Sequence, residues 1–144
     1  MTDSIDFDEL NRKVIDEFRE TGGTAGGLLE GMPLVLVHHV GVKSGARRIA
    51  PLVPYQEGDR IFVFASKGGA DTNPDWYRNL MASPHTVVEL GSETFPVTVR
   101  EIHGDERDDV YAKQSEMQPQ FADYQRKTTR VIPVLELLRT PVEA

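Results

Sequence analysis

The chain contains no cysteine among its 144 residues. This absence excludes a disulfide framework, a thiol nucleophile and a Cys-based metal site, so redox chemistry requires a bound cofactor. No apolar run has the length of a membrane span, and the N-terminal segment is acidic where a signal peptide is basic and then apolar. We therefore expect a cytoplasmic protein without stable membrane insertion.

Positive charge is also scarce, with 16 Lys and Arg against 23 Asp and Glu and a net charge of −7. Non-specific nucleic-acid binding depends on many distributed cations, so we expect a small-molecule partner and no nucleic acid. The length and the 39% share of apolar residues predict a single domain over residues 1–144 with one core.

One stretch reverses the overall charge, because residues 31–56 contain no Asp or Glu. Within it, GVKSGARRIAPL (residues 41–52) carries three cations between two β-branched runs, which predict antiparallel strands. Lys and Arg beside Gly-flanked backbone amides suit an anionic ligand. The alternative is a solvated turn that is basic by chance.

A second stretch, ASKGGADTNPDWYRNL, begins at the end of a predicted strand. Its Lys-Gly-Gly loop precedes a helix that we expect to begin near Pro74, with Asn73 or Thr72 as its cap. A strand, a glycine loop and a helix N-terminus can together hold a phosphate or carboxylate. The order of a Walker loop is missing, so the pattern alone is weak. Trp76, the single tryptophan, is by default a core residue.

The hydrophobic patterns predict six strands, at residues 34–40, 49–55, 60–65, 85–90, 93–102 and 131–138. No β-α units alternate, which excludes a Rossmann sheet. A small antiparallel barrel with helices over its openings fits best, which makes the fold mainly β with flanking helices. Pro51 and Pro54 imply an edge or a bulge. Adjacent His38 and His39 point to opposite faces of a strand, so we interpret them as structural or ligand-adjacent and expect no metal site.

Three helices are expected, at residues 6–20, from about Pro74, and at 104–117, with a short helical turn at 121–124. Asp6 and Glu9 form a capping box for the first, and two glycines at 22–23 end it. The apolar face of the third consists of Val110, Tyr111 and Met117. Flanking helices suggest that a second copy covers the sheet edges, as in a homodimer.

Five segments, FRETGG, GVKSGARRIAPL, ASKGG, NPDWYRNL-ASP and FADYQRKTTRVIPV, together resemble the deazaflavin-dependent nitroreductase family of actinobacteria. The resemblance runs from about Phe18 to Leu138. It implies a split β-barrel, similar to FMN-binding pyridoxamine oxidases, and binding of the 8-hydroxy-5-deazaflavin coenzyme F-420. The phosphate and polyglutamate tail of this coenzyme would be the polyanion. The implied activity is hydride transfer from its C5 carbon to a quinone, enone or nitro compound.

The resemblance also implies roles for individual residues. Many members have a basic residue where this chain has Val42, which implies either weaker binding of the tail or that Arg47 takes this role. Tyr124 and Ser66 are the candidate catalytic residues, as donors of a proton or hydrogen bond. The implied coenzyme-binding residues are Lys43, Ser44, Gly45 and Arg48 for the phosphate and tail, Ser66, Lys67, Gly68 and Gly69 for the phosphate and ring, Trp76 near the ring, Asn79 to fix the loop, and Pro51 and Ala65 beside them.

Three other readings remain open. The same barrel could use FMN, with the basic turn contacting one phosphate. It could be a carrier that sequesters the deazaflavin without catalysis. It could also be a structural or partner-binding barrel in which the cluster of cations is accidental.

Overall fold

A computed structural model describes residues 7–21 and 34–140, with side chains from residue 12 onward. The predicted capping box, the glycines at 22–23 and the Gly-rich segment 24–32 lie outside this description. The helices are α1 (Phe7–Thr21), α2 (Asp75–Ala82), α3 (Gly104–Met117) and α4 (Gln120–Arg126). The strands are β1 (Val35–Val40), β2 (Arg47–Leu52), β3 (Tyr55–Glu57), β4 (Arg60–Phe64), β5 (His85–Leu90), β6 (Glu93–Ile102) and β7 (Val134–Arg139).

The seven strands form one antiparallel sheet in the order β2-β1-β5-β6-β7-β4-β3. Strands β2 and β3 therefore lie at opposite ends of this order, although only Val53 and Pro54 separate them in the chain. Two residues span at most about 7 Å, so the sheet has to curl until its two ends meet. The resulting half-barrel brings β2 close to the opposite end of the sheet.

The predicted strand at 49–55 is wrong in one respect, because it is two strands that belong to opposite ends of the sheet. Proline has no N–H for a ladder, and both strands that flank Pro54 have only one neighbour among the described strands. Pro51 is tolerated in β2, opposite Leu36, for the same reason. The count is thus seven strands instead of six, and the predicted edge at these prolines is found.

The last strand also begins later than predicted, at Val134 instead of residue 131. Val131 is exposed, and Pro133 lacks an amide N–H, although its carbonyl accepts a hydrogen bond from the Ala65 amide at 2.9 Å. The chain therefore joins the sheet only after this proline.

Strands β1, β4 and β7 are buried on both faces over most of their length, whereas burial alternates along β6. The two faces of the sheet pack on different helices. One face forms a core with Leu80 of α2, and the other packs Phe62 and Phe64 against Tyr111 of α3 and Phe121 of α4. Helix α1 covers the start of β1 and contributes buried residues to a third cluster, which contains Val14, Phe18, Leu34 and Leu36. Helices α1 and α2 thus pack at the end of the sheet that carries β1 and β2, whereas α3 and α4 pack against β4.

Helix α3 has the predicted bounds, but its buried face differs from the prediction. Met117 is 68% exposed, whereas Arg107 and Gln114 are buried beside Val110 and Tyr111. Arg107 can be buried because its guanidinium donates to the Ile132 carbonyl, at 3.1 and 2.9 Å. The predicted cap of α2 is also wrong, because Pro74 occupies the N-cap position and no side chain caps the helix.

The buried carboxylate of Glu136 on β7 links three strands of the sheet, namely β7, β4 and β6. Its side chain is 3% exposed, and it accepts hydrogen bonds from Arg60 on β4 at 2.9 and 3.0 Å and from Arg100 on β6 at 2.7 Å. Arg60 also pairs with Glu106 of α3. The hydrogen bond from Arg60 is the largest cause that holds the pKa of Glu136 below its usual value, although burial acts in the opposite direction.

We expect Glu136→Gln to destabilise the protein by about 1–2 kcal/mol near pH 7, because two charge-assisted pairs are weakened while both arginines remain partly solvated. The folded-state pKa is depressed, so this stabilisation is present above the unfolded carboxyl pKa of about 4.3 and is lost as the pH falls through the folded value. Urea unfolding of both proteins at several pH values measures the difference. A difference that persists unchanged at acid pH would contradict this origin.

Candidate functional site

The acid-free stretch forms the connection between β1 and β2, and we call residues 41–48 the basic turn. Its backbone is closed by two hydrogen bonds, from the Gly41 amide to the Ala46 carbonyl and from the Gly45 amide to the Gly41 carbonyl, both at 2.9 Å. Gly45 has φ +69°, which favours glycine. The Ser44 hydroxyl accepts from the Ala46 amide at 3.1 Å and fixes the turn further.

The cations of the basic turn have no partner in the part of the chain that the structure describes. Lys43, Arg47 and Arg48 are exposed and make no hydrogen bond or ion pair with any residue that the structure describes. Unpaired cations in an otherwise acidic protein favour an anionic ligand, because they lose no internal partner when they bind it. This arrangement agrees with the expectation from the sequence and does not by itself identify the ligand.

The basic turn and α2 enclose a cavity of about 590 Å³, which we call the turn cavity. Lys43, Ser44, Arg48 and Asn79 line it, as does Val42. Asp75 and Arg78 line it from α2 and pair with each other. Lys43 and Arg48, which the sequence assigns to one anion, therefore share one cavity.

Asn79 connects α2 to the basic turn. This residue is buried, and its Oδ1 accepts from the Val42 amide at 3.1 Å while its Nδ2 lies 2.9 Å from Nδ1 of His39. His39 is buried, and burial together with the nearby Arg48 lowers its pKa. Asn79 therefore fixes the start of the basic turn, whereas His38 lies on the opposite face of β1 and contacts Glu89 at 2.7 Å.

A second cavity of about 550 Å³ adjoins the turn cavity, since Arg48 and Asp75 line both. We call it the middle cavity. Its walls include Arg12 and Ile15 of α1, His39, Arg47 and most of β2. Pro51, Leu52 and Trp76 belong to this cavity and also to a third one.

The third cavity, the aromatic cavity, has a volume of about 400 Å³. Trp76, Phe64, Phe121 and Tyr124 give it an aromatic lining, and Ser66, Lys67 and Gly68 form its polar side. The rings of Phe121 and Tyr124 pack edge to face, with centroids 5.3 Å apart. The hydroxyls of Tyr124 and Ser66 make no hydrogen bond with the described residues, so both are available to a ligand.

Residues 66–73, which we call the lysine loop, are held by one arginine that sequence analysis missed. Arg130 donates to the carbonyls of Ala70 at 2.8 Å, Ser66 at 2.9 Å and Ala65 at 3.2 Å. It also donates to Oδ1 of Asn73 at 2.9 Å. The guanidinium of Arg130 therefore fixes the conformation of the lysine loop.

Gly69 marks the closest approach between the lysine loop and α4. Its φ is +88°, and a Cβ at this position would lie 2.8 Å from the Tyr124 carbonyl oxygen and about 3 Å from the Lys127 side chain. No side chain fits there unless the loop and α4 separate. Gly69 thus keeps Lys67 and Gly68 beside Tyr124.

We expect Gly69→Ala to lower the free energy of unfolding by more than 2 kcal/mol, since it adds backbone strain to a steric clash. Gly68→Ala is the matched control, because Gly68 also has a positive φ of +65° but has open space around it. Its cost should be about 1 kcal/mol. Thermal unfolding of both variants measures the difference, and equal losses would contradict the proposed close approach.

The predicted site residues thus divide into two groups. Those that line the connected cavities are Lys43, Ser44, Arg48, Pro51, Ser66, Lys67, Gly68, Trp76, Asn79 and Tyr124. Gly45, Ala65 and Gly69 line none of these three cavities and act on the shape of the turn and loop. Lys67 lies apart from Lys43 and Arg48, in the aromatic cavity, where its Nζ contacts Thr72 at 3.1 Å.

The structure therefore is an antiparallel half-barrel with three adjoining cavities, of which the first is lined by cations and the third by aromatic rings. A family model described as F420H(2)-dependent quinone reductase matches residues 10–139. An F420H(2)-dependent quinone reductase of Mycobacterium tuberculosis is 33% identical over 128 residues, which are 85% of each chain. The chain belongs to the F420H(2)-dependent quinone reductase family, and the resemblance seen in the sequence is confirmed.

Solved structures support the same assignment. An F420-H2 dependent reductase, FDR-A, has 40% identity and a TM-score of 0.67 over 73% of this chain and 93% of its own. A structure described as a domain-swapped dimer has 35% identity and a TM-score of 0.69 over 91% and 98%. A Listeria innocua protein described as a putative pyridoxamine 5'-phosphate oxidase shares the fold alone, with 8% identity and a TM-score of 0.55 over 92% and 94%. The predicted fold class is confirmed.

In the part of the chain that the structure describes, no group of three or more His, Asp or Glu side chains is arranged to hold a metal ion. None of the described helices combines the length and the apolar character that a membrane crossing requires.

Proposed function

We propose that this protein reduces a quinone with a hydride taken from reduced coenzyme F-420. The observation that carries the proposal is the run of three adjoining cavities from the unpaired cations of the basic turn to Trp76 and Tyr124. Such a groove suits a ligand with an anionic tail at one end and an aromatic ring at the other. Membership of the family supports the choice of coenzyme and of a quinone as acceptor.

The anionic end of the ligand would be held by Lys43 and Arg48 in the turn cavity. Both are free to form charge-assisted hydrogen bonds, which are the strong ones for phosphate and carboxylate oxygens. Asn79 and Ser44 keep the basic turn in place, so little order has to be gained on binding. Arg47, in the middle cavity, supplies the cation that Val42 does not.

The aromatic cavity would hold the ring and the acceptor. The coenzyme, when bound in its reduced form, supplies a hydride from C5. The rings of Trp76, Phe121 and Tyr124 exclude water and keep the two planar molecules in register. The Tyr124 or Ser66 hydroxyl then donates a proton or hydrogen bond to the oxygen of the acceptor as negative charge develops on it.

The test is an anaerobic assay with purified protein, in which oxidation of reduced F-420 is followed after addition of quinones, enones and nitroaromatics. A parallel assay replaces reduced F-420 with reduced FMN. We expect quinones to oxidise reduced F-420 at a rate that saturates with the quinone concentration. Turnover with FMN instead would favour the FMN reading, and tight F-420 binding without oxidation would favour a carrier. Failure to bind either cofactor would contradict the proposal and support the structural reading.

Tyr124→Phe should lower kcat about tenfold while the Kd for the coenzyme stays within about twofold, because only the hydroxyl that faces the acceptor is removed. Ser66→Ala is the matched variant, since it removes the other free hydroxyl of the same cavity. Single-turnover rates at saturating coenzyme separate the two residues. If neither variant changes kcat, the proton comes from elsewhere and both assignments are wrong.

We further infer that the protein acts in the cytoplasm as a homodimer of one domain each, spanning residues 1–144, without a nucleic-acid partner. The net charge of −7 supports the last point. Strands β2 and β3 each have one neighbour among the described strands, and the related domain-swapped dimer supports association through such edges. Light scattering should give twice the mass of one chain, and a single-chain mass would contradict the dimer.

A further inference from the structure

We propose that His39 is a coenzyme-binding residue, whose Nε2–H donates a hydrogen bond to an oxygen of the chain that joins the anionic tail to the ring. The proposal rests on the function proposed above for the identity of the ligand. His39 lies on β1, and its side chain lines the middle cavity. The geometry points to this role through three observations: the hydrogen-bond direction at Nδ1, the accessibility of Nε2, and the composition of the cavity.

The hydrogen bonds of Asn79 determine which nitrogen of His39 carries the proton. The Val42 amide is a donor, and it lies 3.1 Å from Oδ1 of Asn79, which fixes the orientation of that side-chain amide. The Asn79 atom that faces His39 is therefore the Nδ2 donor, at 2.9 Å from Nδ1. Nδ1 must accept, so neutral His39 carries its proton on Nε2.

Nε2 of His39 is not enclosed by the protein. His39 as a whole is 7% exposed, and Nε2 has no hydrogen-bond partner among the described residues. Among the described side chains, Nε2 of Gln114 is the one nitrogen or oxygen atom that is both fully enclosed and without a hydrogen-bond partner. Since Nε2 of His39 also has no partner, it is not fully enclosed and reaches the accessible surface. The cavity that His39 lines is the middle cavity, which identifies where this unused donor is available.

The other polar groups of the middle cavity are mostly donors as well. Arg12, Arg47 and Arg48 line it, and the one acid among the described residues of its lining, Asp75, is paired with Arg78. Burial and the charge of Arg48 both lower the pKa of His39, so the neutral tautomer persists at neutral pH. A segment rich in acceptor oxygens fits this lining, and the middle cavity lies between the places proposed for the tail and the ring.

The direct test compares coenzyme affinity in His39→Phe and in a matched control, His85→Phe. Phenylalanine keeps an aromatic ring but has no Nε2–H, so we expect the Kd for F-420, measured by fluorescence titration, to rise about tenfold. His85 is exposed on β5, contacts Thr98 and lines none of the three cavities, so its variant should bind within about twofold of wild type. An unchanged Kd in His39→Phe would overturn the proposal.

A second measurement on the wild-type protein does not depend on the folding of a variant. Two-bond ¹H–¹⁵N spectra of the histidine rings should show His39 with its proton on Nε2, and this resonance should shift when F-420 saturates the protein. A proton on Nδ1, or an Nε2 resonance that does not move at saturation, would overturn the direct contact even if His39→Phe binds weakly. Wild-type protein that does not bind F-420 would instead contradict the proposed function.

Discussion

Replacement of both Lys43 and Arg48 by alanine should weaken coenzyme binding about a hundredfold or more. Each residue lines the turn cavity without a partner among the described residues, so each can make a charge-assisted bond worth about 1.5–3 kcal/mol. Both side chains are exposed before binding and are screened by water, which favours the lower end of that range. Two such contacts amount to about 3 kcal/mol, or about two powers of ten in Kd.

The matched control removes two cations elsewhere. Lys113 pairs with Glu57 and Asp109, and Arg139 pairs with Glu93, and neither lines any of the three cavities. Lys113→Ala with Arg139→Ala changes the net charge equally and should leave the Kd within about threefold. Fluorescence titration at two ionic strengths measures both effects, and wild-type binding should weaken more with salt than that of the Lys43/Arg48 variant. Equal losses in the two double variants would mean that net charge, not the cavity, binds the coenzyme.

The second large effect is expected from Arg130→Met, which should raise the Kd for the coenzyme at least tenfold and lower Tm by about 5–10 °C. Methionine keeps most of the length of the side chain but leaves the carbonyls of the lysine loop and Asn73 without their common donor. Loss of hydrogen bonds to a charged group costs about 1.5–3 kcal/mol, which corresponds to several degrees in a domain of this size. The loop would then no longer hold Ser66 and Gly68 at the aromatic cavity.

Arg126→Met is the matched control for this prediction. Arg126 lies four residues earlier, is exposed, and pairs with Asp123 within α4. Such a surface pair contributes little, so stability should change by less than about 0.5 kcal/mol. Calorimetry and coenzyme titration on the same samples test both variants. Arg130→Met with the Tm and the Kd of wild type would contradict the role assigned to Arg130.

The elements that could be predicted from the sequence are those defined by local patterns. The bounds of α3, β5 and β6 follow from capping acids, alternation and turn residues that are close together in the chain. The division of residues 49–55 between opposite ends of the sheet could not be predicted, although Pro54 marks the position. Its cause is the pairing of β4 with β7, which joins residues 70 or more positions apart.

The candidate site likewise contains residues that local sequence patterns indicate and residues that they do not. The basic turn is visible in the sequence because its cations and its lack of acids are contiguous, and the family resemblance supplies Trp76, Asn79 and Tyr124. His39 and Arg130 carry no such signal, because their importance depends on burial and on partners 40 and about 60 residues away. A buried histidine that accepts from Asn79 can be distinguished from the half-buried His38, on the opposite face of the same strand, only after β1, β2 and α2 are in place.

A crystal structure of the protein with oxidised F-420 bound tests the central claim most directly. It should show phosphate or tail carboxylate oxygens within hydrogen-bond distance of Lys43 and Arg48, and the deazaflavin ring between Trp76 and Tyr124. A tail bound outside the turn cavity, or a ring that lies outside the aromatic cavity, would contradict the continuous groove on which the proposed quinone reduction depends.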